Sequence, residues 1–122
     1  MESKLTYEQA RTELLSMLRA KSVFRGNFKL SSGADSNYYV DCKNTTLDAK
    51  GLWLVAQLMH HVIREEEAAR RLQLDSIGGL TMGADPIAIA VGMFSYWKQE
   101  HPPLQAFIVR KTPKAHGQTK LI

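Results

Sequence analysis

Apolar positions recur at helical spacing near the start of the chain. Thr6 and Gln9 have the spacing of a capping box, which satisfies the first free backbone amides of a helix. The apolar residues that follow at three- and four-residue intervals are Tyr7, Ala10, Leu14, Leu15 and Leu18. This pattern predicts an amphipathic helix over residues 7–21, used for packing or dimer contact. Gly26 ends the helical pattern.

Two short strand candidates follow, residues 28–30 and 38–41, around a polar turn that contains Gly33. Alternation along the second strand puts Tyr38 and Val40 on one side and Tyr39 on the other. Two interpretations stay open at this point. The strand is half-buried and packs a pair of tyrosines, or the Tyr39 side forms an aromatic wall for a planar ligand beside the polar turn.

A second helix is predicted to begin after Asp48, whose carboxylate is a suitable N-cap. Apolar residues at helical spacing define its expected buried face, which comprises Leu52, Val55, Leu58, Met59, Val62 and Ile63. His60 and His61 fall outside that stripe and are predicted to lie on the helix surface. The acidic and basic residues of 65–71 read as charge pairs on a solvated helix end.

Residues 75–109 have the pattern of a β-strand, a Gly-rich turn, a helix and a second strand. Asp85 as N-cap and Pro86 as first helical residue predict the helix start, and Pro102 places its end near Gln99. Such a unit implies two parallel strands, and ligands gather at the carboxyl ends of parallel strands. The turn at 79–85 and the segment after Val109 therefore leave from one edge of the sheet. The glycines of the turn have two readings, a phosphate cradle or a simple geometric requirement.

Composition limits the classes of protein that fit. With 122 residues and 44% hydrophobic content, the chain makes one compact domain or a substantial part of one. No apolar run reaches the roughly 18 residues of a membrane span, and no signal peptide is recognisable, which favours the cytoplasm. The single Cys42 fits a reducing compartment. One cysteine and four scattered histidines offer no zinc spacing, so no metal site is predicted from side chains.

The formal charge of +4 lies in the last 22 residues, which hold four basic residues and no acidic one. The apolar run 107–109 leads into Arg110 and Lys111, and Lys114 and His116 follow on a loop marked by proline and glycine. These side chains donate hydrogen bonds to anionic oxygens, so the loop is a candidate anion site. The alternative is a solvated basic loop. Nucleic-acid binding is disfavoured, because the charge is focused and has no aromatic residues interleaved.

Four segments resemble, in order, the N-terminal part of the orotate phosphoribosyltransferase family, over essentially the whole chain. They are F-K-L-S-S-G at 28–33, Y-Y-V-D at 38–41, G-G-L-T-M-G-A-D-P at 78–86 and V-R-K-x-x-K-x-H-G at 109–117. The resemblance implies an α/β chain with the type I phosphoribosyltransferase fold, a parallel sheet flanked by helices with a small N-terminal hood, incomplete at the C-terminus. Residues 1–122 would form one domain, with the helix and hood strands in 1–45 and the start of the α/β core in 46–122.

The resemblance also implies a function. Such enzymes use Mg²⁺, bound through the pyrophosphate group, to transfer phosphoribosyl from phosphoribosyl pyrophosphate to orotate, giving orotidine monophosphate and pyrophosphate in de novo pyrimidine (UMP) biosynthesis. The family's site positions map here to three groups: Arg110, Lys111, Lys114 and His116 for the pyrophosphate, with Lys114 catalytic; Met82 and Gly83 for the donor-phosphate turn; Ser31, Tyr39 and Val40 for orotate. A homodimer is implied, with loop 110–117 closing over the partner's site, and neither nucleic acid nor membrane is an expected partner.

The chain departs from the family pattern in ways that qualify these expectations. Many members carry lysine at Ser31, an aromatic residue at Val40 and, in some, lysine near Gly83. The family's donor-binding signature, an apolar strand with paired acidic residues and a Thr/Gly/Ser loop, would come after Ile122. We therefore expect little or no transferase activity from residues 1–122 alone. The alternative function is a non-catalytic module of the same fold that senses a nucleotide or phosphoribosyl pyrophosphate.

Overall fold

A computed structural model describes residues 5–113 of the chain. These residues form four helices and four strands in an α/β arrangement, with one antiparallel and one parallel pair of strands. In chain order the elements are α1 (Tyr7–Lys21), β1 (Val23–Lys29), β2 (Asp35–Val40), α2 (Lys43–Thr46), α3 (Ala49–Arg70), β3 (Ser76–Leu80), α4 (Ala84–Trp97) and β4 (Gln105–Val109). No helix in this part of the chain is long and apolar enough to cross a membrane.

The first helix has the predicted bounds and the predicted cap. The Thr6 hydroxyl accepts a hydrogen bond from the Gln9 backbone N–H at 3.2 Å, and the Gln9 side chain accepts one from the Thr6 N–H at 2.9 Å. The helix packs against α3, where the ring of Tyr7 stacks on His61 with centroids 4.2 Å apart. The capping box predicted from the sequence is thus present in the folded structure.

The hairpin β1–β2 confirms the predicted strand pair, but β1 begins earlier, at Val23. Its first residues pair with the end of β2, as in Phe24 opposite Tyr39, and the register then shifts between Arg25 and Phe28. Gly26 lies within this irregularity with a φ of 154°. The helix has already ended at Lys21, and Gly26 lies inside β1, where a bulge accommodates it.

Helix α3 begins as predicted, since the Asp48 carboxylate accepts a hydrogen bond from the Gly51 N–H at 2.9 Å. Its predicted buried face is partly wrong. Met59 and Val62 are 41% and 42% exposed, whereas His60 is only 4% exposed. Two helices, α1 and α4, contact α3, so its buried surface is not the single stripe that apolar spacing alone predicts.

The predicted βαβ unit is confirmed: β3 and β4 are parallel, with Ser76 opposite Gln105 and Leu80 opposite Val109. Helix α4 packs on both strands and on α3. It begins at Ala84 with Gly83 as N-cap, so the expectation that Asp85 caps this helix is wrong; Asp85 lies in its first turn. The buried core of this region consists of Ala56, Val91, Phe94 and Leu104.

Candidate functional site

The carboxyl ends of β3 and β4 lie level with each other. The ladder ends at the pair Leu80 and Val109, and the Thr81 N–H then donates a further hydrogen bond to the Val109 carbonyl at 3.0 Å. The turn that follows β3 therefore starts beside the residue that precedes Arg110. This confirms that the Gly-rich turn and the cationic segment leave from one edge of the sheet, where α/β proteins bind ligands.

Two glycines shape the turn for different reasons. A Cβ on Gly79 would lie 2.4 Å from the Ala84 carbonyl oxygen, so the start of α4 approaches β3 too closely for any side chain. A Cβ on Gly83 would have no atom within 4 Å, but the φ of this residue is 132°, which favours glycine. Between them Met82 is 89% exposed. The turn therefore presents an open surface, with free space around Gly83.

Asp85 lies in the first turn of α4, and its side chain reaches back to the residue at the N-terminus of the helix. Its Oδ1 accepts a hydrogen bond from the Gly83 N–H at 2.9 Å. A carboxylate is favourable there because the N-terminus of a helix carries partial positive charge. The turn predicted to receive a phosphate thus has one of its backbone donors bound to the chain's own carboxylate.

Arg110 and Lys111 follow β4, and both are exposed. Neither forms an ion pair with any residue between 5 and 113. Their charge at this edge is therefore available to a ligand. Lys114 and His116, the other two predicted pyrophosphate ligands, lie outside the described residues.

The predicted orotate residues lie on the hairpin. Ser31 is exposed in the turn, and Tyr39 and Val40 are 45% and 42% exposed. The Tyr39 ring packs against Phe28 with centroids 5.8 Å apart. Tyr38, on the opposite side, is 52% exposed, so β2 is not the half-buried strand of the simpler interpretation. Both of its sides are open in the described part of the chain.

The structure joins some of the predicted site residues and not others. Met82, Gly83, Arg110 and Lys111 lie on segments that leave one sheet edge, as the hydrogen bond from Thr81 to Val109 shows. Within residues 5–113, no hydrogen bond, ion pair or ring contact links the three hairpin residues to that edge. The two groups are therefore assembled on separate sheets.

A cluster of charged residues that the sequence did not reveal lies near the opposite end of β3 and β4. His60 Nε2 is 2.8 Å from Glu100 Oε2, and Arg64 donates hydrogen bonds to both Glu100 and Glu67. Glu67 also accepts the Leu74 backbone N–H at 2.7 Å, just before β3. Helix α3 is thereby tied to both connections that enter the parallel strands.

The cluster shifts the ionisation of its carboxylates. Partial burial alone would raise the pKa of Glu100, but hydrogen bonds from Arg64 and His60 outweigh it and lower that pKa below its ordinary value. The pKa of Glu67 is lowered chiefly by its hydrogen bond from Arg64. The pKa of Arg64 is raised, first of all by Glu100. These groups satisfy one another, so the cluster is structural in character.

An open groove of about 880 Å³ lies away from the cationic edge, between α4 and the start of β4. Its lining includes Ile89, Met93, Tyr96 and Leu104 and none of the predicted site residues. The groove therefore does not coincide with the candidate site, which is an exposed edge rather than a cavity.

A metal ion would find few ligands in this part of the chain. Residues 5–113 contain no group of three or more His, Cys, Asp or Glu side chains that could hold one. Asp85 is the carboxylate of the turn, and it is already bonded to Gly83. The described residues thus provide no cage of their own for Mg²⁺.

Comparison with known proteins gives a consistent result, although no protein-family model matches the chain. The chain is 43% identical over 108 residues to the orotate phosphoribosyltransferase of Rhodopseudomonas palustris strain BisB5, covering 88% of this chain and 54% of that protein. It is 37% identical over 119 residues to the orotate phosphoribosyltransferase of Tropheryma whipplei strain Twist, covering 98% of this chain and 52% of that protein.

A solved structure agrees with the curated relatives. The crystal structure of Mycobacterium tuberculosis H37Rv orotate phosphoribosyltransferase superimposes with a TM-score of 0.64 at 40% identity, covering 88% of this chain and 55% of that one. The chain thus spans about half the length of the curated relatives it matches. The resemblance and the type I phosphoribosyltransferase fold predicted from the sequence are both confirmed.

Proposed function

We propose that this chain forms the part of an orotate phosphoribosyltransferase that binds orotate and the pyrophosphate group of phosphoribosyl pyrophosphate. The observation that supports this most is the hydrogen bond from Thr81 N–H to the Val109 carbonyl. That bond joins the ends of β3 and β4, so an open Gly-rich turn shares one sheet edge with Arg110 and Lys111, which form no ion pair within residues 5–113. The similarity to orotate phosphoribosyltransferases supplies the substrate class.

The chemistry explains why cations belong at this edge. In the proposed reaction the bond between the ribose C1 and the pyrophosphate oxygen breaks, and a ring nitrogen of orotate forms the new bond to C1 as its proton passes to water. The leaving pyrophosphate takes the bonding electron pair and gains negative charge. Arg110, Lys111, Lys114 and His116 would stabilise that charge where it develops, with the largest contribution from Lys114. Met82 and Gly83 would contact the donor through the turn.

We propose that the hairpin β1–β2 binds the acceptor substrate, orotate. Tyr39 would offer its ring face to the planar orotate, and Val40 and Ser31 would line the same pocket. Many family members carry lysine in place of Ser31, and some carry lysine near Gly83, so in this chain the contacts of both residues would be made by backbone groups. The hairpin and turn belong to different sheets, and a bound ligand would bridge them.

We further propose how the metal ion, the partner subunit and the two parts of the domain contribute. Mg²⁺ would arrive on the pyrophosphate, where it neutralises charge on the leaving group. The enzyme would be a cytoplasmic homodimer whose loop 110–117 covers the partner's site and excludes water. Residues 1–45 would form the helix and hood, and residues 46–122 the start of the α/β core.

The test is loss of orotate ultraviolet absorbance in the presence of phosphoribosyl pyrophosphate and Mg²⁺. It compares residues 1–122 with a chimera in which the second half of the Rhodopseudomonas palustris relative follows Ile122. We expect no turnover from residues 1–122 or from the relative's half alone, and turnover from the chimera. Turnover by residues 1–122 alone would contradict the expected inactivity and still support the enzyme class.

Lys114→Ala in the chimera separates the enzyme from the alternative sensing module. An enzyme should lose on the order of 10²-fold or more in kcat, because a cationic group that acts on the transition state is removed. Lys98→Ala removes one positive charge at the C-terminal end of α4 and serves as the control. A chimera that binds phosphoribosyl pyrophosphate without turnover would favour the sensing module, and one that neither binds nor reacts would refute the proposal.

A further inference from the structure

An aspartate stands at the start of each of the helices α3 and α4, and the two behave differently. Asp48 is an N-cap in extended conformation, and its Oδ1 accepts a hydrogen bond from Gly51, three residues ahead. Asp85 lies inside the first turn of α4, and its Oδ1 reaches back to the N–H of the N-cap residue Gly83. Both bonds are 2.9 Å long, so each carboxylate satisfies one backbone donor of its helix.

Their electrostatic surroundings also differ. Asp48 forms an ion pair with Lys21 at 2.6 Å, and that hydrogen bond is the main reason why its pKa is lowered. Asp85 forms no ion pair within residues 5–113. It nevertheless stands at the sheet edge from which the segment with the exposed Arg110 and Lys111 leaves. Its negative charge is therefore uncompensated by a neighbouring cation in the described structure.

This arrangement conflicts with simple anion binding at the turn. A pyrophosphate that approaches Gly83 would meet a backbone N–H that is already bonded and a carboxylate of like charge. Like charges a few ångströms apart near a protein surface oppose each other appreciably, even after screening by salt. The free space around Gly83 and the exposed Met82 leave room for a ligand. The obstacle is therefore electrostatic and not steric.

We propose that Asp85 is an internal competitor for the anion site, which holds the Gly83 N–H while the turn is empty and limits its affinity for pyrophosphate. The inference rests on the proposed function, since it assumes that the turn receives this group. Binding would require the Asp85 carboxylate to release Gly83 and rotate away. A competitor of this kind also favours departure of the product pyrophosphate, a step that often limits turnover in enzymes with closing loops. Asp85 is thus a residue that tunes affinity, and it need not touch the reacting atoms.

The test measures binding of inorganic pyrophosphate to residues 1–122 by calorimetry at low salt without Mg²⁺. Asp85→Asn keeps an oxygen acceptor for Gly83 and removes the charge. We expect this variant to bind pyrophosphate about five- to tenfold more tightly than the unaltered chain, with the gain shrinking as salt is raised to about 0.5 M. If the substitution only destabilised the first turn of α4, pyrophosphate binding would become weaker instead.

Asp48→Asn is the matched control, because it makes the same charge change at a capping aspartate of another helix. We expect it to leave pyrophosphate affinity within about twofold of the unaltered chain, since the Asp48 carboxylate bonds to Gly51 and pairs with Lys21 and has no bond to the turn. Thermal unfolding of each variant verifies that it is folded. If Asp85→Asn does not fold, Asp85→Ser provides a second neutral side chain with an oxygen acceptor.

Each outcome decides the inference. Tighter binding by Asp85→Asn alone supports it, including the case where the unaltered chain shows no binding. Equal or weaker binding by Asp85→Asn, when the unaltered chain binds, overturns the inference and leaves the proposed function intact. An equal gain in Asp48→Asn also overturns it, because the effect would then be one of net charge. Absence of binding in every variant overturns both the inference and the anion site of the proposed function.

Discussion

The two ends of the parallel pair β3–β4 use charge in opposite ways. At the amino end, His60, Arg64, Glu67 and Glu100 bond to one another and to the Leu74 backbone. At the carboxyl end, Arg110 and Lys111 are exposed and form no ion pair within residues 5–113. One end satisfies its charges internally and holds the fold together. At the other end the two exposed cations form no ion pair within residues 5–113 and are available to an anion.

The difference gives a general criterion for separating structural from functional charge in this chain. Charges that stabilise the fold are partly buried and have short bonds to several partners, as Arg64 does. Charges that serve a ligand stand at the carboxyl edge of the sheet beside a turn with an open backbone. Variants at the amino end should therefore change stability without changing anion binding, and those at the carboxyl end should do the reverse.

Gly79→Ala should have the largest effect, because it disrupts the packing of α4 on the carboxyl end of β3. The new Cβ would lie 2.4 Å from the Ala84 carbonyl oxygen, a backbone atom that cannot move without shifting α4. We expect a loss of about 3 kcal/mol in the free energy of unfolding and loss of pyrophosphate binding. Urea denaturation measures the first quantity and calorimetry the second.

Gly33→Ala provides the contrast for that prediction. Its Cβ would meet no atom within 4 Å, and only its φ of 89° opposes a side chain. We expect a cost of about 1 kcal/mol. Equal losses in the two variants would show that Gly79 matters for backbone conformation and not for the close approach of α4.

Replacing Arg110 and Lys111 together by alanine should weaken pyrophosphate binding by about 30-fold, roughly 2 kcal/mol, because two charge-assisted hydrogen bonds are lost. The free energy of unfolding should change by less than about 0.5 kcal/mol, since both side chains are exposed. Arg11→Ala with Arg19→Ala removes equal charge from α1 and should leave affinity unchanged. A similar loss of affinity in that control would mean that net charge, and not this edge, attracts the anion.

Glu100→Ala should lower the free energy of unfolding by about 1–2 kcal/mol, because Arg64 and the buried His60 both lose a partner. Pyrophosphate affinity should not change. Glu66→Ala is the matched control, since Glu66 pairs with Arg70 on the exposed surface of α3, and its cost should stay within about 0.5 kcal/mol. Urea denaturation that gave equal costs for the two variants would remove the structural role assigned to the cluster.

The smallest expected effect is a pH dependence of the stability that the charged cluster at the amino end of β3 and β4 provides. The pKa values of Glu100 and Glu67 are lowered in the folded chain, so their stabilising contribution is present above the ordinary value of 4.5 and is lost as pH falls below it. The difference in unfolding free energy between the unaltered chain and Glu100→Ala should be constant from about pH 7 to about pH 5 and shrink towards about pH 3. A difference that grew on acidification would contradict this sign.

Local patterns in the sequence predicted much of the fold. The capping box of Thr6 and Gln9, the Asp48 cap and the βαβ pattern of residues 75–109 each involve neighbours in the chain, and each is confirmed. The shared edge of the turn and the cationic segment followed from the rule that parallel strands point the same way. The assignments of Lys114 and His116 lie outside the described residues and stay predictions.

Contacts between distant residues were decided only by the tertiary structure. His60 looked like a surface residue because no local partner was visible, yet it is buried and pairs with Glu100, 40 positions away. Asp85 looked like an N-cap because its type and the following Pro86 fit that position, whereas α4 starts two residues earlier, at Ala84, which lies close to Gly79. The sequence by itself determined the elements and their order, since short-range hydrogen bonds and periodicity encode them. Which charges would be paired and which left open depended on how those elements pack.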